Sequence, residues 1–195
     1  MKRTFRPALT LVFALAACTQ PEVPSDSYYR LQIALPAPGP ASIFKGTLEV
    51  NRFVADGLVA GRPIVYTAPD QPHRVQEYNY HFWIEPPTVL LRDQLVAFLR
   101  AKKVADMVTT PEVRATADHV LTGKILRLEK IEGAAPKGVL ELELAVRRAD
   151  GKLVFLDVYK MDVAAENNSV EAAVRALNKA LDATYAKFVA DLARQ

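Results

Sequence analysis

A single cysteine, Cys18, stands among 195 residues, so no intramolecular disulfide and no thiolate pair for a metal site can form. The three histidines, His73, His81 and His119, are too scattered for the i, i+4 ligand pair of a helical metal centre, and no metal site is expected. Glycine is scarce, with eight residues, and there is no Gly-rich phosphate loop, dinucleotide fingerprint or Gly-x-Ser-x-Gly elbow. The common nucleophile, nucleotide and cofactor routes therefore lack sequence support, and neither a catalytic residue nor a cofactor is predicted. An excess of charge of one sign is missing as well. The chain counts 25 Lys+Arg against 22 Asp+Glu, but Lys2, Arg3 and Arg6 fall in the first six residues, and the remainder balances. Such a chain gives no general electrostatic case for nucleic acid, which needs clustered cations. No hydrophobic run is long enough to span a bilayer: Ala8 to Ala17 is about ten residues, where a helix needs roughly 20.

What the start of the chain does contain is an ordered signal. Three cations precede the apolar run, the arrangement of a secretory leader. The run ends in Leu15-Ala16-Ala17-Cys18, which resembles the bacterial lipobox, where small residues admit the peptidase and the thiol takes a diacylglycerol. Residues 1–17 are accordingly predicted to be a lipoprotein signal peptide and Cys18 the lipid attachment site. Residues 18–27 are polar and proline-punctuated, as suits a flexible tether. An Asp after the lipidated cysteine favours inner-membrane retention in enteric bacteria. Thr19 occupies that position, so the expectation is the periplasmic face of the outer membrane.

The rest, residues 28–195, has the length and apolar content of one domain. Alternation or β-rich composition predicts strands over Tyr28–Leu35, Gly46–Phe53, Arg62–Thr67 and Gln76–Ile84. Pro86-Pro87 should stop the fourth and leave Thr88 to cap a helix with Leu91, Leu95, Phe98 and Leu99 on one stripe. A short strand is expected at Val104–Val108. A long one follows over His119–Ile131, whose apolar residues switch face near Leu126 as a bulge would require. Val139–Arg148 alternates cleanly. Asp150-Gly151 as a two-residue turn would set Ala149 opposite Lys152, Val146 opposite Phe155 and Glu141 opposite Lys160. Asn168 with Glu171 reads as a capping box for a long C-terminal helix carrying Val170, Val174, Leu177, Leu181, Tyr185, Phe188 and Leu192. The predicted fold is a single-domain α+β protein, a mixed, mostly antiparallel sheet with two helices on one face.

Carboxylate pairs occur at Glu141/Glu143 and Glu129/Glu132, but acid/base chemistry needs them desolvated in a cleft, and alternation turns the first pair to solvent. The densest unusual stretch is Gln76–Pro87, which holds the only tryptophan. Alternation would put Tyr78, Tyr80 and Phe82 on one face and His81 and Trp83 on the other. Aromatic residues with a polar tip serve either core or interface.

Taken together, the lipobox, Tyr28-Tyr29-Arg30-Leu31, Gly61-Arg62-Pro63-Ile64-Val65-Tyr66 and Glu77-Tyr78-Asn79-Tyr80-His81-Phe82-Trp83-Ile84-Glu85-Pro86-Pro87 resemble the ABC-type transport auxiliary lipoprotein family. The resemblance marks Tyr66, Tyr78, Tyr80, Trp83, Pro86 and Pro87 as motif or interface residues. Phe82 stands where the family usually carries an arginine, so no role of that arginine transfers. The family implies a periplasmic, lipid-anchored accessory that docks an MCE-type substrate-binding protein and an ABC transporter complex, with self-association and without an ATPase or other enzyme activity of its own. Its cargo would be lipids or related apolar compounds. The competing expectation is an envelope assembly or stress-tolerance scaffold that binds proteins only.

Overall fold

A computed structural model describes residues 24–194. The leader and Cys18 lie outside the described residues. In order the elements are β1 (Ser27–Tyr29), β2 (Phe44–Val50), β3 (Val54–Ala55), β4 (Pro63–Thr67), β5 (Val75–Trp83), α1 (Pro87–Lys102), β6 (Ala105–Thr109), β7 (His119–Ile131), β8 (Lys137–Arg148), β9 (Leu153–Ala164) and α2 (Val170–Leu192). This is the expected α+β domain, with the sheet curled into a half-barrel.

The 13-residue strand β7 organises it. Along one edge β7 takes β2, β3 and β4 in succession, all parallel to it, and along the other it pairs with β8 antiparallel. β8 then pairs with β9, while β5 joins β4, β1 joins β5 and β6 joins β2. The β7–β8–β9 hairpins supply the antiparallel bulk. Parallel contacts of the short early strands were not visible in the alternation, because period two reports an extended chain and not its neighbour's direction. The register of β7 shifts between Ile125 and Arg127, which leaves Leu126 as the bulged residue the face switch required. Both helices pack on one continuous core that includes Leu91, Leu95 and Leu99 of α1 and Leu177, Leu181 and Phe188 of α2. The Tyr185 hydroxyl, fully buried, donates to the Leu91 carbonyl at 2.6 Å and ties the two helices together.

Several local expectations are corrected. Of the strand predicted at Tyr28–Leu35, only Tyr28 and Tyr29 join the sheet, in β1 with Ser27 before them. The continuation lies against the helices, burying Leu31 and Ile33. The Gln32, Ile33 and Ala34 N–H groups donate to the side chains of Asn178, Gln94 and Asp182. Alternate burial is real there, but helix side chains take the place of a strand partner. Thr88 does not cap α1. Pro86 precedes the helix and Pro87 opens it, since a missing N–H costs nothing in the first turn.

The β8–β9 turn is not the two-residue type. Arg148 N–H donates to Lys152 and Gly151 N–H to Arg148, with Gly151 at φ 86°, so Ala149, Asp150 and Gly151 form a three-residue loop closed by a left-handed glycine. Arg148, not Ala149, therefore faces Lys152. A second irregularity between the Val146 and Arg147 pairings restores Val146 opposite Phe155 and Glu141 opposite Lys160. Two one-residue offsets cancel.

Ser169, not Asn168, caps α2, accepting from Ala172 N–H at 3.1 Å. Asn168 is occupied elsewhere: its amide accepts from Gly133 N–H and donates to the Gly133 carbonyl. Ser169→Ala should cost about 1 kcal/mol through the first turn of α2, a fall in the urea midpoint with unchanged slope. An unchanged midpoint would mean that the hydroxyl does not secure the helix start.

Candidate functional site

Between β4 and β5 the pairing runs Pro63 with Phe82 and then Val65 with Glu77, so one residue of β4 stands opposite four of β5. The excess residues bulge around Tyr78–His81 and break the alternation expected there. Tyr78 and His81, assigned to opposite faces by period two, meet edge to face at 5.3 Å between ring centroids. Tyr66 packs on the other side of Tyr78 at 4.3 Å. Tyr80 is left exposed, and Phe82 lies against Tyr28 at 5.8 Å. Trp83 is 1 % exposed and belongs to the core, and Pro86 and Pro87 build the start of α1. Of the six motif residues, then, the fold brings Tyr66 and Tyr78 together, turns Tyr80 outward and uses the other three internally.

Around Tyr78 the structure assembles polar residues that the sequence reading passed over. Lys130 of β7 is 2 % exposed, and its ammonium donates to the Tyr78 hydroxyl at 2.7 Å and to Glu132 at 2.8 Å. The Tyr78 hydroxyl in turn donates to Glu132. On the far side of His81, Tyr29 donates to Glu171, in the first turn of α2, at 2.8 Å and contacts His81 Nδ1 at 2.8 Å. The phenol has one proton to give and Glu171 receives it, so His81 Nδ1 carries a proton and donates back. Burial, then the Glu171 carboxylate, push the Tyr29 phenol up to about 12. Burial and the Glu132 contact hold the Tyr78 phenol well above its ordinary value. Such phenols stay protonated and serve as fixed donors.

The cluster links β1, β5, β7 and the start of α2, each side chain committed to a partner. The signal that could have found it is phase: Lys130 and Glu132 continue the parity of buried Leu128 along β7. Glu129, on the alternate face, is buried and held by Thr67 at 2.7 Å and Arg127 at 2.6 Å. Burial works against the Glu132 carboxylate, but the Lys130 and Tyr78 hydrogen bonds outweigh it and hold the group below its ordinary 4.5. A folded pKa below the unfolded one means that ionised Glu132 stabilises the fold above about pH 4.5, a contribution lost as pH falls through the lower folded value. Lys130→Met should therefore destabilise by about 1–3 kcal/mol at pH 7, discounted because the Glu132 side chain keeps 30 % exposure. The deficit should narrow in urea titrations below that pH. A deficit independent of pH would refute the pairing as its source.

A second feature is the free side of β9. This 12-residue strand pairs with β8 alone and exposes Leu153, Leu156 and Val158 among Asp157, Lys160 and Asp162. Charges along such an edge restrain indiscriminate pairing, and the apolar side chains between them offer contact area. Along the path β1-β5-β4-β7-β8-β9, five strand spacings of about 4.8 Å separate this edge from β1, where the predicted tether enters. Among the described residues no group of three or more His, Cys, Asp and Glu side chains is placed to hold a metal ion, and no helix is long and apolar enough to cross a membrane.

Fold and site define a single α+β domain braced by an internal polar cluster, with Leu153, Leu156 and Val158 exposed on one edge strand of its sheet. The chain belongs to the family of ABC-type transport auxiliary lipoprotein components, whose model matches residues 29–189. No curated protein matches the sequence. Among solved structures, a Xanthomonas campestris protein of the DUF330 family aligns at 20% identity with TM-score 0.73, covering 84% of this chain and 92% of its own. An uncharacterized protein aligns at 20% identity and TM-score 0.63, covering 88% and 98%. A hypothetical protein of Chlamydia trachomatis follows at 8% identity and TM-score 0.50, covering 77% and 99%. Identities this low speak to the shared fold. The family is one of transport auxiliary components.

Proposed function

We propose that this chain is the lipid-anchored accessory of an ABC transport system of the MCE type, held by lipid on Cys18 at the periplasmic face of the outer membrane, and that it works by docking the MCE-type partner through the β9 edge. The observation that carries the reading is the position of that edge. The tether enters at β1, and the apolar residues Leu156 and Val158 project from the strand farthest across the sheet from it. An anchor at one edge leaves the other free to meet a partner arriving from the inner membrane.

The test is a photoreactive amino acid placed at Leu156 or Val158 of the full chain in its native host. Crosslinks to the MCE-type substrate-binding protein are the expected result. Crosslinks confined to unrelated envelope proteins would replace this reading with the scaffold alternative.

A further inference from the structure

The chain enters its fold through a sheet edge that carries outward-facing aromatic rings. Tyr28 lies on β1, the last strand on that side, and is 57 % exposed. Its partner in register on β5 is the half-buried Phe82, with the two ring centroids 5.8 Å apart. Tyr29, His81 and Trp83 turn the other way, into the cluster and the core, so Tyr28 and Phe82 mark the outer face. Tyr80 and Ile84 flank Phe82 along the chain, and both are exposed. Arg62 lies over the Tyr28 ring, its Cζ 5.4 Å from the centroid, while its Nε donates to the Trp83 carbonyl at 3.0 Å. So held, the guanidinium enters no ion pair among the described residues. The Tyr28 hydroxyl donates to Asp26 at 3.1 Å, so an acid and a cation meet the same side chain.

What meets this face follows from the chain that leads to it. Cys18, the predicted lipid site, precedes Ser27 by nine residues. A segment of that length reaches about 30 Å when fully extended and about 17 Å as a coil. A bilayer holding the anchor therefore stays close to β1, whereas β9 lies five strand spacings, about 24 Å, farther along the sheet. Tethering over so short a distance makes the encounter intramolecular, so even a weak contact between β1 and the bilayer is occupied. Aromatic rings settle at the headgroup layer, where one end is apolar and the other wet. A guanidinium forks onto phosphate oxygens.

We infer that the outer face of β1 and β5, centred on Tyr28, Phe82 and Arg62, seats the domain on the headgroup layer of the bilayer that holds its anchor, with Arg62 against a lipid phosphate. The inference rests on the anchoring part of the reading above and adds an orientation to it: β1 against the membrane and β9 turned away. Because Asp26 offsets Arg62 at the Tyr28 side chain, the seat calls for no anionic lipid.

The experiment reconstitutes the full acylated chain into phosphatidylcholine vesicles that contain phosphatidylcholine with a nitroxide near the top of its acyl chain. The only native thiol is Cys18, which acylation blocks, so an introduced cysteine takes a fluorophore alone. Fluorophores at Tyr80→Cys and Ile84→Cys should be quenched several-fold more than those at Leu156→Cys on β9 and Asp150→Cys in the β8–β9 turn. Tyr28→Glu, at an exposed position, should bring the Ile84→Cys signal down to the Leu156→Cys level, and Tyr28→Trp should keep it high. Unchanged thermal melting of each variant confirms that it folds. Equal quenching at all four positions, or quenching greatest at Leu156→Cys, would overturn the inference, as would a Tyr28→Glu chain that is still quenched at Ile84→Cys. Mass spectrometry of the reconstituted chain reads the anchor separately. A chain without acyl groups refutes the anchor and the seat together, whereas an acylated chain with uniform quenching loses only the seat. A photoreactive residue at Tyr28 that crosslinks a protein in the native host, with the vesicle labels unquenched, would put that protein in place of the bilayer.

Discussion

Cys18→Ser should move the protein from the membrane fraction to the soluble periplasm, and the shift should be close to complete. Each buried methylene contributes about 0.8 kcal/mol to membrane attachment, so one chain holds a protein marginally, while three hold it by on the order of 30 kcal/mol. Serine offers no thiol for the diacylglycerol transfer that precedes processing. Nothing in the described fold replaces the anchor with a spanning helix. Membrane fractionation with detection of the protein checks this, and mass spectrometry of the mature N-terminus should show the acyl mass vanish with the substitution. Unchanged fractionation would mean that another attachment holds the protein and that the lipobox resemblance misled.

A second large effect should come from a glycine that no turn requires. Gly123 lies in the middle of β7 with Leu144 opposite, and a Cβ there would sit 2.6 to 2.8 Å from three carbons of the Phe53 ring. Phe53 is 2 % exposed and part of the main core, so it cannot swing into solvent without giving up its packing. Gly123→Ala should therefore destabilise by about 2–3 kcal/mol, a typical cost of overpacking, and lower the melting temperature by roughly 5–10 °C for a domain of this size. Phe53→Leu alone should cost about 1 kcal/mol. Combined with Gly123→Ala it should recover part of the loss, giving a coupling of about 1 kcal/mol. Urea unfolding followed through Trp83, the only tryptophan and almost fully buried, reads all three variants. Strict additivity would show that the ring is not what the new methyl meets.

Sequence periodicity was most reliable where one element packs against one core. Every residue named on the α2 stripe is buried, and His119–Ile131 appears with its bulge in place. It failed where a long-range partner overrode a local rule. Asn168 forgoes the cap because Gly133, 35 residues earlier, takes both ends of its amide. Tyr28–Leu35 alternates like a strand, yet side chains on both helices collect the N–H groups of its second half. Tyr66 and Tyr78 were singled out in the sequence, but their companions were not. Lys130, Glu132, Tyr29 and Glu171 are ordinary residues of their strands and helix until a bulge in β5 gathers them around Tyr78 and His81.

By itself the sequence determined the class of element along most of the chain, the α+β character of the domain and the family motifs, because charge order, apolar period and proline placement act over a few residues. Cys18 belongs on that side: its predicted chemistry depends on three neighbours and on no fold. The tertiary structure alone decided that β7 carries three parallel strands on one edge, that Lys130 is a buried cation with partners, and that β9 pairs on one side alone, across the sheet from β1. These follow from chain closure over tens of residues. No local pattern encodes them, since the free energy that selects them resides in contacts between segments distant in sequence.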